Sequence, residues 1–358
     1  MPVKTTEGRF LWAIGGKIEE RAMAVARRRT TGRLRRVARG RREISHALDD
    51  TTVYSIEEDR WYSSARGELA PMPYGVQGAG WTLHEGVIYC FGGKTRPHSG
   101  CVPYVQAYDI ADDQWTVLPS MPAARSKLGK FYPVYEGHYV FLFGGDNIKG
   151  RFHRVSWNWR YDLEEGTWDA DVADAPFSQS FPCPSLHDGW LYYTTGNTSR
   201  GPRSNYPGGI NQRYNPHTDE WQVVAPCPHP VTDGSGDVWR GELHFLGGWN
   251  PNTTFYHRRA PHFKGPVKRL HSIYNYESNS WHYAPLLPGR WHHGGTRSDG
   301  EYLWHYLGTI DEETGKGEYQ HTNRIHRWDG ETWTEKTPAP VRKMNFGTIF
   351  TTLGPTEA

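Results

Sequence analysis

Cysteine is scarce: four residues (Cys90, Cys101, Cys183, Cys227) in 358, with no Cys-x-x-Cys pair. That excludes a disulfide framework and a paired-thiol zinc site, and it leads to the expectation of free thiols in a reducing, cytoplasmic setting. No run of 18 apolar residues occurs and mean hydropathy is −0.76, so a membrane-spanning helix is not expected. The first residues, MPVKTTEGRFLWAIGG, contain no apolar stretch of leader length. No Gly-x-Ser-x-Gly, no phosphate-binding P-loop and no dinucleotide fingerprint is present, which removes those enzyme classes. His-Glu-x-x-His is absent as well, so no local zinc-protease pattern exists.

What is abundant is aromatic and turn-forming. The chain has 16 Trp, 21 Tyr and 13 Phe, with 40 Gly and 25 Pro. That composition suits many short strands joined by turns better than long helices. The net charge of +2 hides an asymmetry: residues 17–43 carry Lys17 and ten Arg against three Glu, a balance of +8, so the remainder is −6. Within this segment, Glu19–Arg29 has helix-forming composition.

Three marks recur six times. Glycine pairs follow apolar runs at Gly15-Gly16, Gly92-Gly93, Gly144-Gly145 and Gly247-Gly248, with decayed copies read at Gly196-Asn197 and Gly308-Thr309. Downstream tryptophans stand at 61, 115, 168, 221, 281 and 333, and five of them lie seven residues after a tyrosine. An acidic or basic residue followed by Gly (Glu7-Gly8, Glu85-Gly86, Glu136-Gly137, Asp188-Gly189, Arg240-Gly241, Asp299-Gly300) precedes each pair and signals a tight hairpin. Each unit therefore reads as a four-stranded antiparallel meander, and radial packing of several meanders buries both faces of each.

These marks resemble the kelch repeats of β-propeller proteins over residues 8–353. The expectation is an all-β, six-bladed propeller filling residues 1–358 as one domain. The basic segment 17–50 is an insertion in a blade 1 loop, and Phe346–Leu353 closes the ring against Phe10–Ile14. The loops between second and third strands, with the links between blades, share one face and are long, so any site belongs there.

Two classes of function remain. The first is an enzyme acting on a small polar or anionic molecule by isomerase or lyase-type proton transfer. His293, Asp146 and Asp311 are its candidate catalytic groups. Arg125, Arg290, Arg342, Lys94, Trp249, Asn250 and Trp291 are its candidate substrate contacts. Resemblance to the kelch family implies that arginines just before an inner strand, a place read here as shared by Arg125, Arg290 and Arg342, grip ligands. A divalent metal (iron, zinc or copper) on His257, His262 and His292 is left open and is required by nothing in the sequence. The second class is an interaction module whose Arg-rich face holds an acidic peptide or protein. Residues 1–8 and 354–358 leave no room for an adaptor domain, which tilts the expectation to a monomeric enzyme. Nucleic acid is not expected, because the chain outside the insertion is acidic.

Overall fold

The computed structural model describes residues 4–23, 41–95, 100–147, 154–198, 206–249, 269–311 and 319–356. Six four-stranded antiparallel sheets form the molecule. From the axis outward, blade 1 is Gly347–Thr356, Lys4–Ile14, Thr51–Ser55 and Arg60–Ser63. Blade 2 is Gly80–His84, Val87–Phe91, Val105–Asp109 and Gln114–Leu118. Blade 3 is Val134–Tyr135, Tyr139–Phe143, Asn158–Asp162 and Trp168–Asp169. Blade 4 is Cys183–His187, Trp190–Thr194, Asn211–Asn215 and Glu220–Val223. Blade 5 is Ser235–Trp239, Glu242–Leu246, His271–Asn275 and Ser280–Ala284. Blade 6 is Gly295–Ser298, Leu303–Tyr306, Ile325–Trp328 and Trp333–Lys336. The first strands of most neighbouring blades touch one another around the axis. The ring closes as the sequence implies, with Phe10 opposite Thr351 and Ile14 opposite Gly347, and the pairing continues to Lys4 opposite Thr356. Among the described residues no helix is long and apolar enough to cross a membrane.

Three details differ from the sequence reading. Glu7-Gly8 is not a hairpin turn: it lies inside strand Lys4–Ile14, where a register shift between Glu7 and Phe10 absorbs it. The decayed pairs are one residue earlier than expected. Thr195 (φ 58°) and Leu307 (φ 56°) hold the left-handed conformation of the first glycine, while Gly196 and Gly308 keep the second. That turn is crowded as well as left-handed: a Cβ on Gly144 would lie 2.3 Å from the Gln179 carbonyl oxygen. Finally, Lys17–Met23 is a strand paired with Arg41–Ala47, because a full-length partner ladder outweighs local helix propensity.

The tyrosine and tryptophan marks turn out to be one clamp used between blades. Tyr108 Oη donates to Asp113 at 2.6 Å, Tyr214 to Asp219 at 2.7 Å and Tyr274 to Asn279 at 2.6 Å, and Tyr54 bonds Asp59 in the same way. The same side-chain oxygen accepts a backbone N–H from the preceding link: Ala70 to Asp113, Ala173 to Asp219 and Ala225 to Asn279, each at 2.8 Å. The tryptophan two residues on returns a bond to that link, Trp221 Nε1 to Ala173 O at 2.8 Å and Trp281 Nε1 to Ala225 O at 3.0 Å. One tyrosine, one Asp or Asn and one tryptophan thus tie the outer strands of a blade to its neighbour's connection.

The seam between blades 5 and 6 is different, being built on histidine and tryptophan. His244 Nδ1 and His271 Nε2 are 2.7 Å apart, and His271 meets the rings of Trp328 and Trp333. His305 and His326 both meet the edge of buried Trp291. Burial pushes these imidazoles down, to about 4 for His244 and His326 and about 3 for His271. His305 is likewise pushed far down by burial. The four rings are therefore neutral at physiological pH.

Candidate functional site

The long-loop face has a defined mouth. After each glycine pair the chain bridges back to the link that enters its own blade: Lys17 with Met344, Lys94 with Gln77, Asp146 with Ser126, Asn197 with Ser180 and Trp249 with Thr232. In blade 6 the bridge widens into a small sheet, where His292 pairs with Thr309 and Thr309–Asp311 pairs with Tyr319–His321. The next link residue turns left-handed in all six places: Gly78, Lys127, Phe181, Asp233, His293 and Asn345, with φ between 55° and 61°. Their backbones are chained, Gly78 N–H to Asn345 O at 3.1 Å, Phe181 to Lys127 O at 2.6 Å and His293 to Asp233 O at 2.7 Å. Five side-chain-bearing residues held in this sparsely populated region ring one opening.

The charges at this mouth are unequal. Lys127 Nζ lies 2.7 Å from Asp146 Oδ2. Burial and the neighbouring Lys94 and Arg154 pull the Lys127 ammonium down, against the lift from Asp146. Across the opening, His293 Nδ1 is 3.1 Å from Asp233 Oδ1 and 3.0 Å from Asn345 Oδ1. Burial would raise the Asp233 carboxyl, but His293, Lys130 and Lys127 hold it below the usual carboxylate range. Four cations (Lys94, Lys127, Lys130, Arg154) thus face two carboxylates.

Of the residues expected to act, His293, Asp146 and Lys94 stand at this mouth. Trp249 does too, bridged to Thr232 and half-buried. His292 is buried beside His293, their ring centroids 4.6 Å apart. Asp311 pairs through its backbone with Tyr319. Asn250, His257 and His262 lie outside the described residues, as does the side chain of Asp311. Among the described residues no three His, Cys, Asp or Glu converge on a metal position.

The three arginines do not share a position. Arg125 aligns with Gln179, Trp291 and Lys343, whose carbonyl oxygens accept the N–H of the second turn residue of the blade before: Gly93 to Arg125, Gly145 to Gln179, Gly248 to Trp291 and Gly308 to Lys343. Arg290 and Arg342 come one residue earlier. The consequence is physical. Arg125 is fully buried, its Nη1 donates to the carbonyls of Leu142, Gly144 and Trp157, and its guanidinium lies 3.9 Å from the Trp159 ring. Gln179 does the same in blade 4 for Thr195 and Ile210. Trp291 is buried in the seam between blades 5 and 6. Arg125 and Trp291 are thus braces within the scaffold, not contacts of the opening. Arg342 is exposed and Arg290 partly so, and neither makes an ion pair or side-chain hydrogen bond among the described residues.

The sequence reading placed Lys127, Lys130 and Asn345 on this face without giving them a role, and it missed Asp233 and Arg297. The signal for Asp233 was the link position shared by six repeats, which is visible only once the one-residue register is known.

The Kelch motif family matches residues 78–122, the whole of blade 2 with its flanking links. Kelch-like protein terF of Aspergillus terreus is 27% identical over 212 residues, covering 57% of this chain and 44% of that protein. Kelch-like protein 40a of Danio rerio is 30% identical over 190 residues, 38% of this chain and 30% of that protein. The chain thus spans less than half the length of these curated relatives. The solved structure of YjhT superposes with a TM-score of 0.61 at 14% identity, covering 81% of this chain and 95% of that one, a likeness of fold. With six meander blades, six sets of repeat marks and these matches, the chain is a kelch-repeat β-propeller. The relatives carry the name of Kelch-like proteins, not of an isomerase or lyase, and this overturns the expectation of a small-molecule enzyme.

Proposed function

We propose that this propeller is a protein-interaction module whose long-loop face binds an acidic segment of a partner. The observation that carries the reading is the charge of the mouth, where Lys94, Lys127, Lys130 and Arg154 outnumber Asp146 and Asp233. Arg290 and Arg342 add two cations with no acidic partner of their own among the described residues. The described part of the basic insertion, the paired strands Lys17–Met23 and Arg41–Ala47, starts beside this mouth, where Lys17 bridges Met344. Clustered cations around a concave opening raise the local concentration of acidic ligands and speed their capture. The Kelch-like identity of the relatives favours the same reading. The four free cysteines fit a cytoplasmic setting for it.

The test is binding of a fluorescein-labelled hexaglutamate peptide, read by anisotropy at about 0.15 M salt, where weak surface attraction is screened. The triple variant Lys94→Glu, Arg290→Glu, Arg342→Glu is expected to bind about tenfold more weakly with an unchanged melting temperature. Equal binding by variant and wild type would refute the reading.

A further inference from the structure

The basic insertion enters and leaves blade 1 as a two-stranded ribbon, Lys17–Met23 against Arg41–Ala47, and one edge of that ribbon starts at the mouth. At its foot the Lys17 N–H donates to Met344 O at 2.9 Å, and Lys17 O accepts from the Met344 N–H at 3.1 Å. Both main-chain groups of Lys17 therefore point away from the Arg41–Ala47 strand. One residue earlier the sense is reversed, and Gly16 O accepts from the Leu48 N–H at 2.9 Å. Main-chain groups alternate sides along a strand, so Ile18, Glu20 and Ala22 face the paired strand while Glu19, Arg21 and Met23 face outward with Lys17. Met344 makes only an isolated bridge and serves Lys17 alone. Among the described residues no strand pairs with Glu19, Arg21 or Met23 on that side, because the ribbon is a sheet of two strands.

An open edge is a template for a further strand, and charge decides which strand it accepts. Residues 17–43 carry Lys17 and ten Arg against Glu19, Glu20 and Glu43, a balance of +8. A second copy offering its own edge would set +8 beside +8, so pairing between copies is opposed. An acidic strand meets the opposite condition. The edge is also continuous with the mouth. Met344 at its foot is followed by Asn345, one of the left-handed residues of the ring, and exposed Arg342 stands two places before it. A segment held at the mouth therefore lies where the edge begins.

We propose that an extended, acidic segment of the partner adds to this ribbon as a third strand, pairing its main chain with Glu19, Arg21 and Met23. This rests on the interaction reading above and gives the bound segment a conformation and a direction. The strand runs antiparallel to Lys17–Met23, as Met344 already does at the foot. Its C-terminal end thus lies at the mouth and its N-terminal end beside Met23. Each outward residue supplies one N–H and one carbonyl, and such bonds recognise extended backbone whatever its sequence. The main chain gives the affinity, and the charge of the insertion selects for acidity.

Amide hydrogen exchange, followed by NMR in the whole ¹⁵N-labelled chain, reads the pairing residue by residue. The probe is the peptide Glu-Val-Glu-Val-Glu-Val, with Gln-Val-Gln-Val-Gln-Val as its neutral counterpart. In the free protein the amides of Ile18, Glu20 and Ala22 are expected to exchange slowly, and those of Glu19, Arg21 and Met23 fast. Saturating acidic peptide slows the second set about tenfold or more, and the neutral peptide leaves it fast. Glu19→Pro separates main-chain pairing from simple charge attraction, because it deletes an outward N–H and a repelling carboxylate together. It is expected to bind the acidic peptide about tenfold more weakly than wild type, whereas Glu19→Ala, which keeps the N–H, binds at least as tightly as wild type. If the acidic peptide binds in a way that depends on Lys94, Arg290 and Arg342 yet leaves the three outward amides fast, the added strand is wrong while the interaction reading stands. If the peptide does not bind at all, the interaction reading fails and the strand with it. Equal protection by the neutral peptide overturns the acidic assignment. Protection that grows with protein concentration alone puts a second copy on the edge and overturns the partner assignment.

Discussion

Asp113 shows how much one side chain carries in this fold. Its Oδ1 accepts from Tyr108 Oη and from the Ala70 amide, and its backbone stands at φ 50°. Asp113→Ala leaves both donors unpaired and puts alanine in the left-handed region. We expect a loss of about 3 kcal/mol in urea unfolding. Asp113→Asn should lose about 1 kcal/mol or less, since Asn279 performs the same task in blade 5. Equal losses would show that the link, not the paired bonds, sets the cost. At this scale the sequence was half legible. The tyrosine, the tryptophan and their seven-residue spacing stood out because blades 1, 2, 4 and 5 use the same clamp. The functional residues did not, because Gly78, Lys127, Phe181, Asp233, His293 and Asn345 share a backbone conformation and nothing else. A one-residue slip was enough to group buried Arg125 with exposed Arg342. What separates them is which carbonyl meets the neighbouring glycine, a contact between blades that no spacing within a blade encodes.

Among the elements, the seam of blades 5 and 6 is the one that answers to acid. His244, His271, His305 and His326 are neutral in the fold, with His244, His271 and His326 titrating near 3 to 4. In the unfolded chain each titrates near the ordinary value of about 6.5. Between those values the unfolded state binds more protons, so stability is intact above about pH 6.5 and falls as the pH drops toward 4. Each ring contributes up to about 1.4 kcal/mol per pH unit in that window. The surrounding charges do not cancel this: Glu242 favours the charged form of His244, while Arg240 and His282 oppose it; Lys130 opposes the charging of His305; Glu335 favours and Arg324 opposes that of His326. The melting temperature should fall steadily from pH 7 to pH 5, and His326→Phe should flatten the fall, because it removes one titrating ring and keeps the contact with Trp291. A melting temperature that stays level over that range would show the histidines to be charged or solvated in the fold. Eighteen histidines were visible as a composition, but their gathering at one seam was not. His244 and His271 lie on different strands, and the ladder that brings them together is set by register.

For the molecule as a whole, six repeats fixed the blade number because the left-handed turn after the second strand answers a geometric demand common to all blades, while the hairpin is replaced by chain closure in blade 1 and the clamp recurs in blades 1, 2, 4 and 5. The function was not written in that way, since the mouth residues are the positions where the blades differ. Closure by Gly347–Thr356 is the whole-molecule property most open to test. Gly347 packs against Trp81 of blade 2, where a Cβ would fall 2.3 Å from the indole. Gly347→Val should lower the melting temperature by several degrees, corresponding to about 2 kcal/mol of overpacking. Removing residues 347–358 should abolish the cooperative transition in calorimetry; a sharp transition in the truncated chain would mean that five complete blades suffice. The closing pair has one more property. Lys4 faces Thr356 at one end of an antiparallel ladder, and Ile14 faces Gly347 at the other. Tension applied through the two strand ends therefore pulls across the ladder, not along it, and loads its hydrogen bonds one at a time. A propeller tethered by those ends to anything that pulls would open at this zipper first, while tension taken up through the blades' outer strands would leave the ring shut.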